Sequence, residues 1–207
     1  MKPWQRVTAC VEILLNRPHW KKRQPRERFL LPHEWINLRA VLATQPDKMR
    51  VYFSLLLLEG PRMSEARTMQ RNHVDLVQGI WHKPVTKNGR RQILALSPQS
   101  CGLLQELVEE GPYFFRGETP AVPWSRTAVE VRWRKIRRAA GCLDVQIRDL
   151  RRTCATWLSM NQENLVTIKD ILHHSSLNTT QIYARADQAS TRAALTRHAA
   201  RMFPTTI

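Results

Sequence analysis

Acidic residues are scarce. Only 17 Asp and Glu stand against 33 Lys and Arg, which leaves a formal charge of +16 on 207 residues. Cysteine is sparse as well: Cys10, Cys101, Cys142 and Cys154 are scattered with no CxxC spacing, which argues against a zinc ribbon or a disulfide framework and predicts reduced, mostly buried thiols. Long hydrophobic runs are missing. The longest, such as Leu55–Leu58, is four residues, whereas a membrane-spanning helix needs roughly 20. The N-terminus lacks the apolar core of a signal peptide, so a soluble, cytoplasmic-type chain with no membrane partner is expected. No internal repeat or low-complexity tract is visible. What is present is 43% apolar residues, including seven Trp, enough for a packed core in one large domain or two small ones.

A positive excess of this size destabilises a compact fold unless a polyanion uses it, and nucleic acid is the expected partner. A ribosome-associated or membrane-surface protein would carry its charge in Lys-rich tails or one amphipathic stripe. Here Arg dominates, and it recurs through segments that also hold core residues. Its planar fork grips phosphate at two points, which suits charges with geometric rather than merely attractive tasks.

Periodicity predicts a mainly α protein with a small antiparallel β-sheet. A short helix from about Arg6 to Leu15 leads into a basic, Pro-interrupted stretch, Asn16 to Arg28, that reads as a linker. Helical spacing of Trp35, Leu38, Val41 and Leu42 follows Pro32, and a second helix runs from about Asp47 to Leu58 before Gly60-Pro61 stops it. A short helix spans Ser64 to Met69. The period then changes to strands at Ile80–Pro84 and Gln92–Leu96, joined through Asn88-Gly89, a strong hairpin signal that places Lys87 at the tip. Further helices are expected at about Pro98–Glu109, Ser125–Ala140, Asp149–Met160, Leu165–His173, Thr179–Arg185 and Gln188–Met202. Trp81, Trp124 and Trp157 are expected in the core, with Trp4 and Trp20 covering a domain junction.

Several local patterns stand in a telling order. Arg62 opens a helix in Gly60-Pro61-Arg62-Met63-Ser64-Glu65. Arg148-Asp149-Leu150-Arg151 puts two guanidinium groups on one helix face. Leu172-His173-His174-Ser175-Ser176 and Thr179-Thr180-Gln181-Ile182-Tyr183 complete the series. With the hairpin lysine, this order resembles the tyrosine recombinases, the phage-type integrases, over about Phe29 to Arg185. The resemblance implies the recombinase catalytic-domain fold and a site-specific recombinase that cleaves and rejoins DNA strands through a covalent 3'-phosphotyrosine, with no metal, ATP or other cofactor. It also implies the roles. Arg62 and Arg151 would clamp the scissile phosphate, Lys87 would act as general acid, His174 would hydrogen-bond the phosphate and Tyr183 would be the nucleophile. Glu65 and Asp149 would orient the arginines.

The chemistry suits these residue types. Attack by a Tyr oxygen on a phosphodiester adds charge to the equatorial oxygens, which bidentate guanidinium groups stabilise more in the transition state than in the ground state. The covalent intermediate conserves the bond energy for rejoining, and the departing 5'-oxygen needs an acid.

One position departs from the family pattern. Where a His usually stands two residues before the Leu-Arg pair, this chain has Arg148, which can neutralise phosphate but cannot accept a proton near neutral pH. The rival reading is therefore a catalytically impaired DNA-binding or regulatory relative.

His173-His174 is a poor metal pair, because neighbours on a helix point about 100° apart and no third ligand lies nearby. In the helix carrying Val129, Trp133, Ile136 and Ala140 on its apolar stripe, Arg132, Arg134, Lys135 and Arg138 are expected to contact DNA, as are Arg90 and Arg91 beside Lys87. The expected organisation is three-part: residues 1–28 as the end of a preceding helical DNA-binding domain plus linker, 29–185 as the catalytic domain, and 186–207 as a C-terminal helix able to dock on a neighbouring protomer. Expected partners are double-stranded recombination sites, further copies of the chain in a tetrameric synapse, and accessory DNA-bending or directionality proteins. No residue identifies the DNA sequence that is read.

Overall fold

The computed structural model describes residues 26–83, 92–108, 111–119 and 121–173, with positions 180, 192, 196, 198 and 202. Prolines and polar caps set most of the helix starts. α1 (Pro32–Ala43) begins on a proline at its first turn, and Glu34 accepts the Leu31 backbone N–H at 2.9 Å. α2 (Asp47–Leu58) follows Pro46 and buries Val51, Tyr52, Phe53, Leu55 and Leu56. After the turn at Gly60 comes the short α3 (Met63–Arg67), closed where the Thr68 hydroxyl donates to the Ser64 carbonyl at 2.9 Å.

A 3₁₀ turn (Arg71–His73) then feeds a three-stranded antiparallel sheet in the order β1 (Val74–Asp75), β2 (Ile80–Lys83), β3 (Gln92–Ala95). Val74 faces Trp81, Trp81 faces Leu94 and Lys83 faces Gln92. β1 is too short to carry a period of its own, and the sequence did not announce it. Four helices complete the domain: α4 (Pro98–Gln105), α5 (Arg126–Ala139), α6 (Ile147–Met160) and α7 (Leu165–Leu172). Side-chain oxygens of Ser97, Ser125 and Asn164 cap three of them.

Core aromatics lock the helices to the loop before α5. Tyr52 lies edge-on to Phe53, Phe115 and Trp124, with centroids 5.2, 4.9 and 5.6 Å away, and Phe53 meets Trp133 of α5 at 5.2 Å. Trp81 and Trp124 are buried, as expected. Trp157, expected in the core, is only half-buried, and its indole N–H donates to the Leu30 carbonyl at 3.1 Å. Cys101, Cys142 and Cys154 are buried free thiols.

The first described residues lie along α6. Leu30 N–H donates to Thr153 Oγ1 at 2.9 Å, and Arg26 Nε reaches the Asp149 carboxylate at 3.1 Å. Arg28 pairs with Asp144 at 2.7 Å and with Glu34. The expected helix at Arg6–Leu15, the hairpin tip and the segment 181–191 lie outside the described residues. Arg192, Thr196, His198 and Met202 are helical and exposed, in keeping with the expected C-terminal helix. Among the described residues no helix is long and apolar enough to cross a membrane, and no cluster of His, Cys, Asp and Glu could hold a metal ion.

Candidate active site

Two helix starts far apart in sequence converge on one basic cleft. A cavity of about 500 Å³ is lined by Arg62 from α3, Arg148 and Arg151 from α6, and Arg126, Arg134 and Arg137 from α5. Among the described residues Glu130 is its one acidic lining residue, so the field inside is strongly positive. The α5 residues recur at intervals of three or four, which puts them on one helix face above Trp133.

Arg62 stands at the cap position of α3, with its side chain half exposed to the cleft. Glu65, one turn on, accepts from Arg62 Nη1 at 2.7 Å and from the Arg62 backbone N–H at 2.9 Å. The same carboxylate accepts from Lys83 Nζ at 2.7 Å. Burial by itself would raise the Glu65 carboxyl, but the Lys83 ammonium and the Arg62 donors outweigh it and hold the group at about 2. Burial pushes Lys83 below the ordinary lysine range, although Glu65 opposes the shift.

Arg151 is held by different means. Nη1 donates to the Gly60 carbonyl at 2.5 Å and Nη2 to the Leu172 carbonyl, so one guanidinium ties the turn before α3 to the end of α7. Gly60 has φ +60°, and a Cβ there would sit 2.7 Å from Leu172 Cδ2, which explains why this turn needs glycine. Arg148 is exposed on the cleft wall. Asp149, fully buried between the two arginines, caps α6 by accepting the Gln146 N–H at 2.8 Å. It also binds Arg152 at 2.9 Å and Arg26 at 3.1 Å, two arginines that do not line the cleft.

α7 ends at His173 in the left-handed conformation, φ +48°. Its Nε2 is buried with no hydrogen-bond partner among the described residues. Burial, with help from the Lys83 charge, lowers the imidazole to about 4 and keeps it neutral at pH 7.

The structure therefore brings Arg62, Arg148, Arg151 and Arg134 into one cleft, with Glu65 bonded to Arg62, whereas Asp149, expected to orient the cleft arginines, bonds Arg26 and Arg152. Arg132 belongs to a neighbouring cavity, its guanidinium 4.7 Å from the Trp124 ring. Lys135 and Arg138 are exposed and do not line the cleft. Lys87, Arg90, Arg91, His174 and Tyr183 lie outside the described residues. The sequence did not single out Lys83 or Arg126, whereas Arg137 belongs to the basic run Arg132–Arg138 expected on DNA. The signal for Lys83 was its strand register, two residues from a core Trp81 and hence on the same inward face.

Comparison with known proteins agrees with this geometry. Residues 28–190 match the model of the phage integrase family. The tyrosine recombinase XerA of Saccharolobus solfataricus is 26% identical over 182 residues, 86% of this chain and 59% of that protein. A tyrosine recombinase XerC from Bradyrhizobium diazoefficiens is 30% identical over 142 residues, 65% of this chain and 44% of its own length. The chain thus spans about half the length of these relatives. Among solved structures, an XerA recombinase superposes with a TM-score of 0.66 at 25% identity, covering 82% of this chain and 65% of that one. The catalytic domain of bacteriophage HP1 integrase matches in fold with a TM-score of 0.60 at 20% identity, over 81% of this chain and 93% of that domain. The basic cleft thus sits on the integrase catalytic-domain fold, and the chain belongs to the phage integrase family.

Proposed function

We propose that this chain is the catalytic part of a site-specific DNA recombinase that cuts and rejoins strands through Tyr183, without metal or ATP. The observation that carries the reading is the convergence of Arg62, Arg148 and Arg151 on one cleft. Arg62 and Arg151 clamp the scissile phosphate and Arg148 adds charge beside them. Lys87 protonates the leaving 5'-oxygen, His174 hydrogen-bonds the phosphate and Tyr183 attacks. Arg134 meets the duplex along the cleft, and Arg132, Lys135, Arg138, Arg90 and Arg91 contact its backbone. DNA as partner is supported by relatives in the same fold: XerH recombinase was solved with a difH substrate and the Tn1549 integrase with transposon-end DNA.

In this reading residues 1–28 end a preceding DNA-binding domain and residues 188–203 dock on a second copy of the chain within a tetrameric synapse. A cavity of about 580 Å³ lined by Trp35, Leu42, Leu57, Leu103, Trp157 and Leu158 is an apolar seat of matching character. Accessory DNA-bending or directionality proteins complete the assembly, in the cytoplasm of a bacterial host. Deleting residues 188–207 is expected to keep folding and single-site binding while abolishing strand exchange; normal recombination by the truncated chain would refute the docking.

The deciding experiment is a suicide substrate nicked near the crossover point. DNA attached to the chain through denaturation, and lost in Tyr183→Phe, supports the recombinase. Binding without attachment supports a second reading, a DNA-binding relative with impaired catalysis, which the exposed Arg148 favours because it cannot take up a proton.

A further inference from the structure

Lys83 is the most deeply buried ammonium described in this chain. Its side chain is 4% exposed, its Nζ lies 2.7 Å from Glu65 and 4.7 Å from the Trp81 ring centroid, and the arginines of the cleft stand close enough to repel it. Burying a cation costs several kcal/mol unless a fixed partner compensates, and here Glu65 is that partner. Glu65 also holds Arg62, whose half-exposed side chain has no comparable packing of its own.

We propose that Lys83 is a positioning residue for the cleavage reaction: through Glu65 it fixes the Arg62 guanidinium in the orientation that meets the phosphate. The inference rests on the recombinase reading for its chemistry, while the Lys83–Glu65–Arg62 chain stands on geometry alone. Lys83 does not touch the phosphate, because its ammonium is spent on the carboxylate behind Arg62. It does two things to that carboxylate. It holds Oε2, leaving Oε1 to the Arg62 Nη1, and it keeps both oxygens acceptors. A protonated Glu65 would present a hydroxyl, and one of its three donors would lose its acceptor. The titratable groups around Glu65 are Arg62 at the start of α3, Lys83 on β2 and the His173 imidazole after α7, with the Arg151 charge of α6 acting on Lys83 and His173. Of these only Lys83 and Arg62 bond it, and burial works against its charge.

The test pairs two readouts on Lys83→Met and Lys83→Arg in the full chain. In the free protein, the Glu65 carboxyl is followed by carbon-13 NMR against pH. In the wild type and in Lys83→Arg it is expected to stay ionised through about pH 4, whereas in Lys83→Met it is expected to titrate at or above the reference of about 4.3. Covalent attachment to the suicide substrate is then measured from pH 5 to 8 on a scale of roughly one unit per step. Lys83→Met is expected to cleave roughly 10-fold more slowly at pH 7, to lose further activity towards the acid end, and to bind DNA within about 2-fold of wild type. Lys83→Arg is expected to recover the wild-type acid side. A Lys83→Met chain whose Glu65 titration and pH profile match the wild type overturns the inference. If Lys83→Met does not fold, Lys83→Gln takes its place, and a wild-type titration of Glu65 there overturns the inference equally. Should the wild type form no covalent adduct while the titration shifts as expected, the recombinase reading fails and the hold of Lys83 on Glu65 stands.

Discussion

The two helix starts that build the cleft solve one problem in opposite ways. Each must hold an arginine against like charges in a positive site. At α3 the arginine is held by a carboxylate, and that carboxylate is held in turn by a buried lysine. At α6 the neighbouring carboxylate, Asp149, serves the helix cap and the side chains of Arg26 and Arg152, while Arg151 is gripped by two backbone carbonyls. A carboxylate partner neutralises part of the charge it positions; carbonyl dipoles orient a guanidinium and leave its net charge intact. Arg62 is thus held through a carboxylate, and Arg151 through the carbonyls of Gly60 and Leu172.

The largest effect belongs to Arg151. Arg151→Ala and Arg151→Lys are both expected to lower cleavage by at least ~100-fold, since a lysine cannot span two carbonyls and a phosphate, while DNA affinity falls far less. Arg62→Lys keeps a contact to Glu65 and is expected to retain a measurable share of activity. Equal losses for the two lysine variants in single-turnover cleavage would break the comparison.

Next comes Asp149. Asp149→Ala removes a fully buried carboxylate that caps α6 and holds Arg152 and Arg26, and is expected to cost about 3 kcal/mol in urea unfolding. Glu65→Ala, which leaves the buried Lys83 ammonium without its carboxylate, is expected to cost a similar amount.

Acid provides a third probe. The Glu65 carboxyl is held at about 2, below its unfolded value, so its contribution to stability is fully present above about pH 4.3 and is lost as the pH falls through 2. His173 is lowered to about 4, so it too contributes stability that is complete above about pH 6.5 and lost as the pH falls through 4. Unfolding measured against pH is therefore expected to weaken in two stages, the first absent from a His173 variant and the second, worth on the order of 3 kcal/mol, absent from Glu65→Gln.

Gly60→Ala follows. It forces a side chain into a left-handed turn and against Leu172, with an expected cost of about 2 kcal/mol and a loss of cleavage as the carbonyl under Arg151 shifts. The smallest effect is at His173, where Gly is expected to be more stable than Ala by about 1 kcal/mol, because only the glycine accepts φ +48° without strain.

Helix starts were legible to within two residues because their chemistry is local: Pro32 opens α1, Ser125 precedes α5, and Asp149, expected to open α6, sits in its first turn. So were the two main strands, whose partner is a few residues away. Lys83 was not read as a site residue, because a lysine in a strand is ordinarily solvent-facing and its partner lies 18 residues earlier. The hold of carbonyls on Arg151 was invisible for a stronger reason. Backbone oxygens carry no sequence signature, and Gly60 and Leu172 meet only once the chain has folded. The stretch ending at Arg28 read as a linker from its prolines and charge, whereas Arg26 and Arg28 find their acids at Asp149 and Asp144, over a hundred residues downstream.

Those distant pairings carry a kinetic meaning. Arg26 to Asp149, Leu30 to Thr153 and Trp157 to Leu30 are separated by 123, 123 and 127 residues along the chain. Closing a loop of that length is entropically dearer than forming any of the hairpins or neighbouring helices, so these bonds form after the helices and sheet have collapsed. Contacts that arrive after the folding barrier slow unfolding and leave the folding rate almost untouched. The segment 26–30 therefore acts as a latch: weakening it, by Arg26→Ala for instance, is expected to speed unfolding in stopped-flow traces while the refolding limb stays in place.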